Sequence, residues 1–340
     1  MVHILHAPAD VAGNAYGLSR AERELGLASD VAIFAPSGRG YRFDIDLRAG
    51  GDVPVWVRML RRAKFLRWAV QEYDVFHFNF GLTILSVRQL GLVVDELTWL
   101  RRRGKTILFT YQGSDARPSS RCPCNDPEHR NWDRYRGLTS ERALRYADRV
   151  FYLNPDLREW LPGASFLPYS SVDARSVEPH ALAERGEVVV AHAPTDRDIK
   201  GTRHVLDAVG ALQQEGVAVR LDLIEGVTND VALARIAAAD VLVDQLILGW
   251  YGAVAVEAMA LGRPVMAYIR EEEPDDNPFG DRLPVVRTSV ATLKEDLRAL
   301  AADRDRRREL ARRGRAFVEK EHDPRRIARR VLDGLVEVPG

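Results

Sequence analysis

Gly249-Trp250-Tyr251-Gly252-Ala253-Val254-Ala255-Val256-Glu257-Ala258-Met259-Ala260-Leu261-Gly262-Arg263-Pro264 carries one carboxylate, Glu257, in a run of otherwise apolar side chains bracketed by Gly252 and Gly262. The pattern predicts a short helix that is apolar almost all round and so buried between layers. A carboxylate in such a helix needs a hydrogen-bond donor opposite it. The glycine-rich turn ahead of the helix offers unpaired N–H groups and the positive end of a helix dipole, a seat suited to phosphate. Phosphate at the helix start and hydroxyls near a carboxylate further along together describe a nucleotide. A core helix whose Glu pairs with an Arg is the plainer alternative.

Outward from this stretch, short β-rich runs alternate with amphipathic helical ones, which predicts parallel sheets covered on both faces by helices. Strands are expected at 188–192, 220–224, 241–243 and 264–268, with helices starting at Thr202, Asn229 and Gly252. After 283–286, everything from Val290 onward reads as charged helix. The first half repeats the alternation, with strands at 2–7, 31–34, 75–78, 106–111 and 150–153 and helices at 16–27, 57–73 and 87–103. Residues 118–137 lack periodicity and read as a long loop. Regularity fades around 168–187, where a linker is expected. The division is thus 1–170, 171–322 and a final helical segment, 323–340. Two doubly wound sheets in succession imply a cleft lined by loops from the carboxyl ends of strands.

A chain of 340 residues is too long for one ordinary core, and 46% hydrophobic with 29% charged residues is the composition of a globular protein. Lys+Arg and Asp+Glu balance at 49 each, so no net field argues for nucleic acid as a partner. No run reaches the roughly 20 apolar residues that span a bilayer, and no leader opens the chain, so a cytoplasmic protein is expected. The Arg-rich stretch 118–137 and the helix bearing Arg58, Arg61 and Arg62 leave room for an anionic acceptor or a peripheral membrane contact. Cys122 and Cys124 cannot build a disulfide framework. With Asp126 and His129 they are too closely spaced for an ordinary zinc site, so no metal is expected.

Three further clusters carry chemistry. After the strand ending at His192 come Asp196, Arg197, Asp198, Lys200, Gly201 and Thr202. There Arg197 as a fork and Lys200 as a point charge suit a diphosphate, with Thr202 available as an N-cap. Salt bridges from these cations to Asp196 and Asp198 are the plainer reading. After the strand ending at Tyr111 come Gln112, Gly113, Ser114, Asp115 and Arg117, able to orient a sugar or an acceptor hydroxyl, or merely a turn that satisfies its own backbone. After the first strand, Gly13 to Gly17 either admits a ligand close to the backbone or allows tight packing of strand on helix. His77 reads as a core histidine, and the acidic stretch 271–276 as a solvated turn.

Together these motifs resemble the donor half of family 4 glycosyltransferases: 192–202, 239–245, Gly249 to Gly252, and Glu257 to Pro264. Gly13, Gln112 to Asp115, Asn154 to Leu157, Leu167-Pro168 and His322-Asp323 sit where that family carries comparable motifs. The resemblance implies a GT-B fold, two Rossmann-like domains facing across a cleft, with the last helix crossing back onto the first domain. It implies a retaining, metal-independent transfer from a UDP- or GDP-sugar, the co-substrate, to an acceptor hydroxyl, with no further cofactor. Arg197, Lys200 and the backbone amides of Trp250, Tyr251 and Gly252 would hold the diphosphate, and Glu257 the ribose. Gly13 would lie near the donor, and Gln112 and Asp115 near the reaction. Two departures stand out. The first carboxylate of the family's Glu-seven-Glu pattern falls on Gly249, and a frequent His falls on Gln112. They keep open a binding protein without turnover; a sugar-nucleotide epimerase, which shares two similar sheets and a diphosphate cleft, is the other alternative, with Asp115 and His77 as acid–base groups.

Overall fold

The computed structural model describes residues 2–88, 91–122 and 132–338, with the side chain of Pro274 excepted. These form two compact units. One holds the described residues up to Cys122, those from 132 to Ser171, and those from Pro324 onward; the other runs from Val172 to Asp323.

In the first unit, strands β1 (His3–Ala7), β2 (Ala28–Ile33), β3 (Ile45–Asp46), β4 (Val75–Asn79), β5 (Thr106–Tyr111), β6 (Arg149–Tyr152) and β7 (Ser165–Phe166) lie in the order β3-β2-β1-β4-β5-β6-β7. Every pairing is parallel, with Ile4 opposite Val75 and His6 opposite His77. Parallel strands are buried on both faces, which is why they read as near-continuous apolar runs. Helices α1 (Asn14–Glu24), α2 (Val55–Glu72), α3 (Glu96–Arg102) and α4 (Asp133–Tyr146) cover the sheet. The last helix, Pro324–Leu332, belongs to this unit and packs on α1, with Arg325 paired to Glu24 at 2.9 Å. Gly17 makes a close approach possible, because a Cβ there would stand 2.0 Å from the Ser170 carbonyl oxygen. Asn14 completes that seam, its Oδ1 accepting the Ser170 N–H at 2.8 Å.

In the second unit, β8 (Val188–His192), β9 (Val219–Leu223), β10 (Val241–Val243), β11 (Val265–Ala267) and β12 (Val286–Arg287) form an all-parallel sheet in the order β12-β11-β10-β8-β9. Helices α5 (Arg197–Lys200), α6 (Thr202–Gln214), α7 (Asn229–Ala238), α8 (Ala253–Ala260), α9 (Leu293–Ala302) and α10 (Arg304–Glu321) surround it. The apolar helix expected from the sequence is α8, and it is buried. Met259 lies against α10 at Gly314, where a Cβ would come within 3.1 Å of Met259 Cγ.

Several expectations are corrected. Of the helix expected at 87–103, Val87 and Leu92 instead form an antiparallel bridge, residues 89 and 90 lie outside the described residues, and the α-helix starts at Glu96, with the Asp95 side chain accepting from Thr98 N–H. The expected loop 118–137 already contains the first turn of α4 from Asp133, and its part from 123 to 131 lies outside the described residues. The strands at 45–46, 165–166 and 286–287 have only two residues each, too short for any periodicity to register.

Candidate functional site

The strand order of the second unit reverses between β8 and β10, since β9 extends from β8 while β11 and β12 extend from β10. In open α/β sheets the crevice at such a switch point is where ligands bind. The segment after β8 carries Arg197 and Lys200, and the segment after β10 runs from Asp244 to Gly252. Both cation-bearing and amide-bearing motifs therefore flank the same crevice.

Lys200 closes α5, whose N-cap is Asp196: its carboxylate accepts from Asp198 and Ile199 N–H at 2.9 Å each. Gly201 then turns in the left-handed region at φ 73°, with Leu246 Cβ 3.2 Å from where its own Cβ would sit. This brings the two segments together, with Leu246 N–H donating to the Lys200 carbonyl at 3.3 Å. Lys200 is consequently buried, and its Nζ meets Asp244 Oδ1 at 2.5 Å, the carboxylate being fully enclosed. The other oxygen of Asp244 accepts from Gly252 N–H at 2.5 Å, at the start of α8. A Cβ at Gly252 would lie 2.9 Å from Lys200 Nζ, so a larger residue there would displace the ammonium from this position.

These facts correct the reading of a turn with open amides. Gly252 N–H is held by Asp244, and Trp250 N–H donates to the Leu248 carbonyl at 2.8 Å. Trp250 and Tyr251 are core anchors: their rings lie 4.6 Å apart, and Tyr251 reaches His322 Nε2 at 3.0 Å through its hydroxyl. Gln245 Nε2 donates to the Trp250 carbonyl and fixes the turn. Thr202 is not the N-cap of α6; that place is taken by Gly201, while Thr202 Oγ1 pairs with His192 Nε2 at 3.0 Å. Arg197 salt-bridges neither Asp196 nor Asp198. It is exposed and forks onto Glu225 with Nε and an amino nitrogen at 2.8 and 2.5 Å, which raises its pKa.

Glu257, one turn into α8, is 6% exposed. Its partner is not an Arg but the amide of Asn229 at 3.0 Å, from the first turn of α7. Burial opposed by that single neutral hydrogen bond pushes its carboxyl up to about 7. Sequence reasoning missed both Asn229 and the Lys200–Asp244 pair. Asp244, directly after an apolar strand, was the available signal for the latter.

Gly249 has a physical reason. A Cβ there would lie 2.4 Å from Arg270 Cβ, and Arg270 N–H donates to the Gly249 carbonyl at 2.9 Å. Arg270 is itself clamped by Asp276, which is buried and caps Glu272 and Glu273 N–H, so the acidic stretch 271–276 is not a merely solvated turn.

In the first unit, Gln112 and Asp115 follow β5. Asp115 spends both oxygens on Gln112 and Gly113 N–H, at 2.6–3.0 Å, the self-satisfying turn, and burial pushes its carboxyl up to about 6. Gln112 is held through its backbone carbonyl by Asn154, while its Nε2 is buried without a partner among the described residues. Arg117 pairs with Asp156 at 2.7 Å. Gly13 stands at φ 71° as the N-cap of α1, beside the Tyr41 ring. His77 is a core histidine, its Nε2 on Thr110 Oγ1 at 2.7 Å and its pKa lowered by burial. Among the described residues no group of three or more His, Cys, Asp or Glu side chains is placed to hold a metal; Cys124, Asp126 and His129 lie outside them.

Residues 255–333 match a family model described as glycosyl transferase-like. No curated protein matches the chain in sequence. Solved structures do match in fold. Sucrose-phosphate synthase from Thermosynechococcus elongatus aligns with TM-score 0.66 at 18% identity, over 96% of this chain and 97% of that one. HepE from Anabaena, in complex with UDP-glucose, aligns with TM-score 0.63 at 14% identity, over 98% and 99%. A Listeria monocytogenes structure assigned as a UDP-N-acetylglucosamine 2-epimerase aligns with TM-score 0.59 at 14% identity, over 100% and 99%. The fold is therefore GT-B. Within it, the matched segment is glycosyl transferase-like, and the resemblance to family 4 glycosyltransferases stands.

Proposed function

We propose that this protein transfers a sugar from a nucleotide-diphosphate sugar to an acceptor hydroxyl, with retention of anomeric configuration and without a metal ion. The observation that carries the reading is the convergence of Lys200 Nζ and the α8 N-terminus at the switch point, with the buried Glu257 further along the same helix. Breaking the anomeric C–O bond puts growing negative charge on the departing diphosphate. A fixed ammonium and a helix N-terminus stabilise that charge more than the ground state, which is the requirement for catalysis. Arg197, on the same short helix and exposed, supplies a second cation when it leaves Glu225. Ribose hydroxyls opposite Glu257 complete the hydrogen bonding that Asn229 alone leaves unfinished. Retention follows from the family resemblance, in which the leaving phosphate itself takes the acceptor proton.

An epimerase reading needs a free acid–base pair flanking the sugar. Asp115 and His77, its candidates, are both engaged with their own unit. The absent side chain at Gly249 favours a binding protein without turnover as the second reading. The test is a thermal-shift screen of UDP- and GDP-sugars followed by product analysis. A native-state ligand raises the melting temperature, and the reading expects one donor class to do so and to release sugar with its anomeric configuration kept. Epimer formation without acceptor, stabilisation by no nucleotide sugar, or inversion overturns it; binding with no turnover toward any acceptor selects the second reading.

A further inference from the structure

Helix α2 presents an apolar and cationic face to solvent that nothing in the donor site uses. Four of the eight exposed large hydrophobic side chains among the described residues lie on it: Val55, Trp56, Leu60 and Trp68. Trp56 is 72% exposed, Leu60 49% and Trp68 44%. At about 100° per residue, Trp56, Leu60, Lys64, Arg67 and Trp68 share the outer side. Arg62, Leu66, Ala69 and Val70 make the buried side. The inward cation is accounted for: Arg62 lies over the Phe34 ring at 3.5 Å and donates to the Ser86 carbonyl at 3.1 Å. The outward ones are not. Neither Lys64 nor Arg67 makes an ion pair among the described residues, and the helix has no acidic residue before Glu72.

We infer that this face of α2 seats the protein on an anionic lipid bilayer, lying in the headgroup plane with Trp56, Leu60 and Trp68 toward the acyl boundary. Single exposed apolar residues are ordinary, but a contiguous stripe marks an interaction surface. Charge complementarity selects the occupant. The buried centre of a protein–protein interface is depleted of lysine, whereas here Lys64 and Arg67 sit among the tryptophans. Tryptophan at headgroup depth with cations on anionic lipid is the pattern of interfacial helices. The contact is peripheral, since no described helix is long and apolar enough to cross a membrane. The inference stands apart from the donor reading; either can fail alone.

The experiment is flotation of the full chain with vesicles of phosphatidylcholine alone or mixed with phosphatidylglycerol, at low and high salt, with tryptophan emission recorded. The protein is expected to float with the anionic vesicles only, with blue-shifted emission and partial release by salt. Trp56→Ser/Leu60→Ser is expected to weaken binding about ten-fold or more. Lys64→Glu/Arg67→Glu is expected to weaken it at least about 25-fold, each lost cation being worth roughly five-fold. All four positions are exposed, so both variants should melt with the parent, which separates loss of binding from loss of fold. The inference is overturned if the parent stays unbound to anionic vesicles at low salt, if neutral vesicles bind equally, or if the variants float as well as the parent. Self-association without lipid that Trp56→Ser/Leu60→Ser abolishes overturns it too, by giving the face to a second copy.

Discussion

Replacing Lys200 with methionine keeps the volume of the side chain and removes its charge. Asp244, fully enclosed, then keeps only the Gly252 N–H as a partner among the described residues. Removing one member of a buried pair costs about 3–5 kcal/mol because the other is left uncompensated. In a domain of about 150 residues that lowers the melting temperature by roughly 6–20 °C. Loss of donor binding in Lys200→Met alone would therefore be uninformative. Lys200→Met/Asp244→Asn removes both charges and leaves an amide oxygen to accept from Gly252, so most of the melting temperature should return. Donor affinity should not: a lost charge-assisted hydrogen bond of about 1.5–3 kcal/mol is a roughly 10- to 150-fold weaker Kd. Calorimetric unfolding and titration with the donor found in the screen measure the two effects separately. A double variant that melts like the parent and binds or turns over donor within two-fold of it would refute the role of Lys200. A single variant with an unchanged melting temperature would refute the buried pair.

Glu257 gives two pH signatures. Its carboxyl is held neutral up to about 7 in the folded protein against an unfolded 4.5, so the associated stability is complete below pH 4.5 and lost as pH rises through about 7, on the order of 3 kcal/mol; Glu257→Gln should flatten this limb in denaturant titrations. Ribose hydroxyls favour the ionised form, so a nucleotide-diphosphate sugar, whose phosphates do not titrate there, should bind roughly ten-fold more weakly at pH 6 than at pH 8, and equal affinity at both would count against the ribose contact. Placing a carboxylate at position 249, as Gly249→Glu, should not raise activity. It should lower the melting temperature by several degrees, because even its Cβ overlaps Arg270 Cβ; an equally stable and more active variant would show that the approach is not enforced.

What was legible in the sequence follows from which forces act locally. The strands at 106–111, 188–192 and 241–243 matched residue for residue, because a two-face-buried parallel strand reads as a near-continuous apolar run. The helix around Glu257 was legible for a related reason: two glycines bound it and nothing in it tolerates water. Residues 87–95 misled because their leucines and valines are spaced like a helix, while Ser86 and Glu96 hold that chain through backbone N–H groups of 84, 85 and 94. Such side-chain-to-backbone bonds leave no periodic trace. The site shows the same divide. That cations and amides meet at one sheet edge could be read from their placement after strands. That Asp244 stands between Lys200 and Gly252 could not, because it depends on how closely Gly201 and Gly252 let two segments approach.

The two cations that looked equivalent in the sequence are physically different, and this shapes the donor reading. Lys200 is buried, paired and fixed by the fold, so with Asp244 it brings no net charge to the crevice. A diphosphate needs net positive potential as well as donors. Arg197 can supply it, because an exposed ion pair in high dielectric holds its members weakly, and Glu225 is its partner there. Glu225→Gln should then tighten nucleoside diphosphate binding, by freeing the guanidinium, while leaving the melting temperature within a degree or two. A weakened affinity in that variant would mean that Glu225 positions Arg197 rather than competing for it, and the division of labour between a fixed and a movable cation would have to be given up.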